Sequence, residues 1–297
     1  MVIKKTLGEK IFDACNMIFL AFFTFLCIAP ILHVLFASFS DPYELIRNQG
    51  IILRPLGFTL KGYQLVLRMP GIITGYKNTL IYVIGGTAIN ILMTAIGAYV
   101  LTFTEWGYTR FLMILVVITM FFGGGLIPSY LLMQKLHLLD SRWALLLPGA
   151  ISTWNLIVMR TSFMGIPASL KESARIDGAG EWTILFRIIL PLSKAVLAVM
   201  ILFYAVGHWN SWFGAMVYIR DRSKFPLQLI LREILVQENQ TSTVSQFSQV
   251  IKVGELDLYK PLVKYTTIII ATLPVLCFYP FVQKHFMAGV MVGSVKE

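Results

Sequence analysis

IFDACNMIFLAFFTFLCIAPILHVLFASF, Ile11–Phe39, is a run of 29 residues with one charged side chain, Asp13. A helix that crosses the hydrocarbon core of a bilayer needs about 20 mostly apolar residues. The run is long enough. Lys4, Lys5 and Lys10 precede it, the order also found in a secretory leader. The apolar part of a leader is only about 7–15 residues, and no small-x-small site closes this one. It reads as an uncleaved first span.

Five further stretches have the same character: Thr79–Leu101, Phe111–Met133, Trp143–Phe163, Leu192–Ile219 and Leu262–Val282, with the first taken as Phe12–Phe36. The composition agrees. Of the 297 residues 57% are hydrophobic and 13% charged, and the mean hydropathy is +0.74. A water-soluble domain carries about 25% charged residues, so too little polar surface is present to cover a water-facing globule. The expected fold is an all-α, polytopic membrane bundle of about six transmembrane helices, one membrane domain over residues 1–297. Pro30, Pro128, Pro148 and Pro274 lie in or near spans and predict kinks. Cys15, Cys27 and Cys277 sit in or beside apolar stretches and read as small hydrophobes. The net charge of +10 suits contact with lipid headgroups, and nothing resembles a nucleic-acid module.

The loop between the fourth and fifth stretches, within about residues 165–190, is different in kind. It reads IPASLKESARIDGAGEW, Ile166–Trp182, and continues to Ile188-Ile189-Leu190-Pro191. Ser169 and Glu172 fit the S-x-x-E capping box, which predicts a helix start there. Gly178 and Gly180 predict its end. Such a part, held between two spans, can transmit a push to both; a plain connector would also be capped.

Glu172-Ser173-Ala174-x-x-Asp177-Gly178-Ala179, followed by Ile188 and Pro191, resembles the EAA signature of ABC importer permeases, with Ser173 in place of the first alanine. Tyr76-x-Asn78-Thr79, Phe122–Tyr130, Leu147-Pro148-Gly149, His208–Phe213, Pro226-Leu227-Gln228 and the tail Gln283–Lys296 are similar to segments of carbohydrate importer permeases, in a branch linked to complex oligosaccharides. The resemblance implies a type I importer permease in a bacterial plasma membrane, with both termini and the EAA loop cytoplasmic. It implies that the loop is a coupling helix, with Glu172, Ser173, Ala174, Asp177, Gly178 and Ala179 meeting the ATPase. It implies as partners a second homologous permease, two ATPase subunits and an extracytoplasmic solute-binding protein, with ATP and Mg held by the partner subunits and no cofactor in this chain.

Polar and aromatic residues within spans are functional candidates. Asn90, Asn155, Trp209, Asn210 and Trp212 could line a sugar pathway, amides to hydroxyls and rings to apolar sugar faces. Equally, asparagines bond across helices and tryptophans sit at the interface. His208 lacks Cys, Asp or Glu at ligand spacing, so no metal site is expected. No G-x-x-x-x-G-K-[ST] is present, and Gly123-Gly124-Gly125 predicts close packing or local unwinding. On the implied topology the outer segments hold fourteen basic and eight acidic residues, a surplus of six, which would attract an anionic cargo such as uronate-containing oligosaccharides. Lipid phosphates or an acidic docking face on the binding protein would account for it as well. An intramembrane hydrolase would need paired acids or a Ser/His pair in register. A secondary carbohydrate transporter would need about twelve spans or an inverted repeat.

Overall fold

The computed structural model describes residues 6–48, 50–69, 71–105, 107–236 and 255–294. In chain order the helices are α1 Leu7–Ser38, α2 Pro42–Arg47, α3 Lys61–Arg68, α4 Ile72–Val100, α5 Tyr108–Phe121, α6 Leu126–Lys135 and α7 Trp143–Leu146. They continue as α8 Thr153–Met164, α9 Ala168–Ile176, α10 Glu181–Leu192, α11 Lys194–Trp209, α12 Phe213–Tyr218, α13 Leu227–Val236 and α14 Leu256–Ser294. No strand occurs among the described residues. The chain falls into two compact units, Met1–Met69 with Ile234–Leu273, and Pro70–Glu233 with Pro274–Glu297.

In the first unit α1 opens on a capping box between Thr6 and Glu9. Its apolar side chains face outward from Leu7 to Ile31, as suits a helix solvated by lipid. Only its last turn is buried: Ala37 joins Leu45, Ile52 and Leu262 in a small core, flanked by Phe36, Leu56, Tyr259 and Tyr265. Gly62 is required here. A Cβ at that position would collide with Thr266 and Leu262 of α14.

In the second unit α4 lies between α8 and α11 and carries a polar stripe at intervals of four: Asn78, Tyr82, Asn90 and Thr94, with Gly86 in the gap. Residues four apart share one helix face, and in hydrocarbon each such group needs an internal partner. Each has one. The Asn78 amide donates to the carbonyls of Ser223 (2.6 Å) and Phe225 (3.1 Å), while its oxygen accepts from Arg142 (3.0 Å). Tyr82 donates to the Lys224 carbonyl (2.7 Å), and Thr94 shares a hydrogen bond with Tyr204 (2.7 Å). Thr79, beside the stripe, accepts the Leu227 N–H (2.8 Å). The segment Tyr76–Thr79, expected ahead of the span, is therefore inside α4.

Among the described residues three helices are long and apolar enough to cross a membrane by themselves, Leu7–Ser38, Ile72–Val100 and the Asp257–Cys277 part of α14. Counting each of two bent pairs as one span brings the number to five: α5 with α6 at 115°, and α10 with α11 at 87°. The fourth expected stretch does not form one helix. Pro148-Gly149 interrupts it between α7 and α8, and the 12 residues of α8 reach only about 18 Å. The break is stabilised from outside: the Gly149 carbonyl accepts from Asn90, and the Ser152 N–H donates to the Tyr204 hydroxyl (3.1 Å). In the third stretch the glycine run unwinds the chain. Gly125 has φ +83°, and a Cβ at Gly123 or Gly124 would meet open space among the described residues of this chain. The fifth stretch is interrupted twice, at Ser193 and at Asn210–Trp212. Before the first break, Leu185–Ile189 forms a wide π-turn. Pro191 explains it, since its nitrogen cannot donate and its ring clashes with the carbonyl four residues back.

The loop ends near α7 and α12 are tied by Asp140. It adopts φ +56°, and its carboxylate accepts the backbone N–H of Arg220 (3.1 Å) and Asp221 (3.0 Å). Those bonds, with Lys224 3.5 Å away, hold its carboxyl below the usual range.

Replacing Asn78 by Leu removes three hydrogen bonds, to the Ser223 and Phe225 carbonyls and from the Arg142 guanidinium. The expected cost is about 2–4 kcal/mol. It would be read as a drop of several degrees in the temperature at which detergent-solubilised protein loses its monodisperse elution peak.

Candidate functional site

The short helix α9 forms where expected, but its start differs. Its N-cap is Pro167, and no side chain caps it. Ser169 lies inside the first turn, so the S-x-x-E pattern is not a capping box here. Pro167 sets the chain direction with its fixed φ and leaves the helix to begin at Ala168.

The end of α9 is a Schellman turn. Gly178 has φ +80° and donates its N–H to the Arg175 carbonyl (3.0 Å), while Ala179 donates to the Ala174 carbonyl (2.9 Å). Only a residue without a Cβ takes that left-handed conformation at no cost. Asp177 is the C-cap. Ala174 is the one α9 residue buried, and Ala179 packs against the same cluster. Glu172, Ser173 and Asp177 face outward.

That cluster joins parts distant in sequence. Ala98, Tyr99 and Leu101 come from the end of α4, Met159 and Phe163 from α8, Ile184, Leu185 and Ile189 from α10, and Met200 from α11. A polar clamp closes over it. Tyr99 donates to one carboxylate oxygen of Glu181 (2.5 Å), and Arg175 donates to the other (3.0 Å). Lys171 lies over the Tyr99 ring (5.9 Å) and Arg175 over Phe103 (5.6 Å). Partial burial, with the charge of Arg175 nearby, holds the Lys171 ammonium below its usual range; the Glu181 hydrogen bond raises the Arg175 guanidinium. Sequence reasoning missed Tyr99 and Glu181. Glu181 lies just past the glycines with no pattern of its own, and Tyr99 is 82 positions away.

The outer face of the loop is partly apolar. Ile176 is 87% exposed and Trp182 63%, and Trp182 stacks on Phe186 at 6.1 Å.

The five intramembrane candidates separate into two groups. Asn90 is fully enclosed: its amide donates to the Gly149 carbonyl (2.5 Å), and its oxygen meets His208 Nε2 at 2.6 Å. Because the amide is committed as donor, the oxygen must accept, which assigns the proton to Nε2. Gly86 makes room, since a Cβ there would collide with the His208 ring. Asn155 and Trp209 are also buried, Trp209 beside Tyr76 at 6.1 Å. Asn210 and Trp212, in the break after α11, keep accessible surface. The first three thus serve the interior of this unit, and the last two reach its surface.

The profile of the binding-protein-dependent transport system inner membrane component family matches residues 109–292. The chain belongs to that family. It is 40% identical over 98% of its length to Protein LplC of Bacillus subtilis (strain 168), covering 97% of that protein. It is 39% identical to the polygalacturonan/rhamnogalacturonan transport system permease protein YtcP of the same organism, over 97% of this chain and 99% of that one. Among solved structures it is similar to a chain of a bacterial ABC transporter involved in the import of the acidic polysaccharide alginate. The TM-score is 0.86 at 30% identity, over 95% of this chain and 99% of that chain. The fold is therefore that of a type I importer permease, a multi-pass membrane protein. It is a transport component and not an enzyme, and ATP hydrolysis belongs to a separate subunit. Members of this family act with a binding protein and an ATPase. Neither the hydrolase nor the secondary-transporter reading has support.

Tyr99→Phe removes one charge-assisted hydrogen bond from the loop clamp. Local opening should rise about fivefold for a loss of about 1 kcal/mol, discounted for the half-exposed carboxylate. Tryptic cleavage at Lys171 and Arg175 in detergent-solubilised permease should accelerate by that factor with the unfolding temperature of the whole chain unchanged.

Proposed function

We propose that this chain is one of two permease subunits of an ATP-driven importer that moves uronate-containing oligosaccharides delivered by an extracytoplasmic binding protein. The observation that carries the reading is the near full-length likeness to a chain of an importer of acidic alginate. The name of YtcP points to the same chemistry, since polygalacturonan is a polymer of uronate. The surplus of six positive charges on the outer segments fits an anionic cargo, because a basic vestibule raises its local concentration and speeds capture.

In this reading both termini and α9 are cytoplasmic, and α9 docks on one of two ATPase subunits, which hold ATP and Mg. Glu172, Ser173, Asp177 and Gly178 form the polar part of the docking face, with Ile176 as its exposed apolar contact. Ala174 and Ala179 anchor α9 to the core, and the Arg175–Glu181–Tyr99 clamp carries its displacement into α4 and α10. ATP binding closes the ATPase pair, moves α9, and opens the permease pair to the outside. The cargo passes unchanged in chemistry.

Two outcomes are expected. In a Glu172→Lys, Gly178→Trp double mutant the subunit inserts normally but uptake falls to background. The charge reversal and the bulky side chain at a left-handed position spoil docking, so the complex loses its ATPase subunits or hydrolyses ATP without response to the binding protein. Stimulated turnover at the unmutated rate would rule the docking role out. For the cargo, vesicles reconstituted with the cognate binding protein should take up uronate oligosaccharides in preference to neutral ones of equal length; uptake of neutral sugars alone would refute the acidic cargo and leave the permease role standing.

A further inference from the structure

Trp212, in the break after α11, lies against a basic side chain in a neutral, soft setting. Arg232, on α13, places its guanidinium carbon 4.2 Å from the ring centroid of Trp212. One of its terminal nitrogens lies 3.4 Å from the Met216 sulfur on α12. The nearby cations are matched differently: Arg222 pairs with Glu233, and Lys224 lies 3.5 Å from both Asp140 and Asp221. Among the described residues no carboxylate pairs with Arg232.

Stacking occupies the flat face of a guanidinium and leaves its N–H groups in the plane. Those edges form the fork that takes a carboxylate through two parallel bonds. A thioether is a weak acceptor, so among the described residues the fork is held in place without a strong partner. Arg232 and Trp212 are both half-buried, which weakens the competition from water. Asn210 and Ser211 are exposed beside them and offer an amide and a hydroxyl to sugar hydroxyls.

We propose that Arg232, oriented by the Trp212 ring, recognises the carboxylate of a uronate unit as the cargo passes the break in the fifth span. The proposal rests on the acidic-oligosaccharide reading above. Trp212 is the positioning residue and Arg232 the specificity-determining one.

The test uses the complete importer, with its ATPase subunits and binding protein, in vesicles. The probes are trigalacturonate and its fully methyl-esterified counterpart, equal in length and ring stereochemistry but uncharged, each at saturating binding protein. Arg232→Gln should lower uptake of the acid about tenfold, the scale of one hydrogen-bonded charge contact, and leave the ester unchanged. Arg232→Lys should recover only part of the loss, because an ammonium lacks the fork. Trp212→Leu should shift the acid-to-ester ratio in the same direction. Stimulation of ATP hydrolysis by cargo-free binding protein should persist in all three variants. Equal losses for acid and ester would overturn the proposal by reducing Arg232 to a packing role. Loss of the cargo-free stimulation would overturn it in favour of docking to the binding protein. A wild type that carries the acid together with an unaffected Arg232→Gln variant would overturn this proposal alone. A wild type that excludes trigalacturonate would overturn both this proposal and the cargo reading.

Discussion

Hydrocarbon cannot hydrogen-bond, and that single constraint organises the second unit around α4. Asn78, Tyr82, Asn90 and Thr94 would each cost free energy facing lipid, so each must find a partner on another element. The partners they find are mostly freed backbone groups. Asn78 and Tyr82 bond the carbonyls of Ser223, Lys224 and Phe225 at the approach to α13, and Asn90 bonds the Gly149 carbonyl in the gap between α7 and α8. The polar side chains on one continuous helix and the irregular backbone of its neighbours thus solve each other's problem. A broken span is tolerated at membrane depth because an intact one supplies its missing hydrogen bonds.

The loop that carries α9 is held in a different way. Only Ala174 of α9 enters the core, and its small side chain sets how closely the helix lies against α4 and α10. The charged residues around it divide by role. Arg175 and Glu181 turn inward to Tyr99 and fasten the loop, whereas Glu172 and Asp177 remain outward. A helix fastened on one face and free on the other is suited to receive force from a docked subunit and pass it on. The wide π-turn and the 87° bend at Ser193 follow directly in the chain, between the clamp and the core of α11.

Glycine and proline act here as instructions about the backbone, with different meanings in different places. Gly178 ends α9 because only the left-handed conformation closes the Schellman turn. Gly62 and Gly86 are contact positions, where a Cβ would strike Thr266 and Leu262 or the His208 ring. At Gly123 and Gly124 a Cβ would meet no described atom, and there the chain unwinds between α5 and α6. Pro148 and Pro191 disrupt helices, and Pro167 replaces the side-chain cap expected from Ser169.

Composition and the length of the apolar runs by themselves determined that this is a multi-pass α-helical membrane protein, because hydropathy is a local property that needs no knowledge of neighbours. The EAA loop and its glycine stop were legible for a related reason: a left-handed turn and a helix end are written within a few consecutive residues. Tertiary structure alone decided which stretches run unbroken, and which polar residues are consumed by the interior. The fourth stretch has enough apolar residues to span, yet Pro148-Gly149 stays unwound because Asn90 and Tyr204 satisfy it. Asn90 and Trp212 were both pathway candidates in the sequence. One is enclosed by His208 and Gly149, and the other is left accessible beneath Arg232, since the partners that settle the matter lie 118 positions away for the His208–Asn90 contact and on another helix for Arg232.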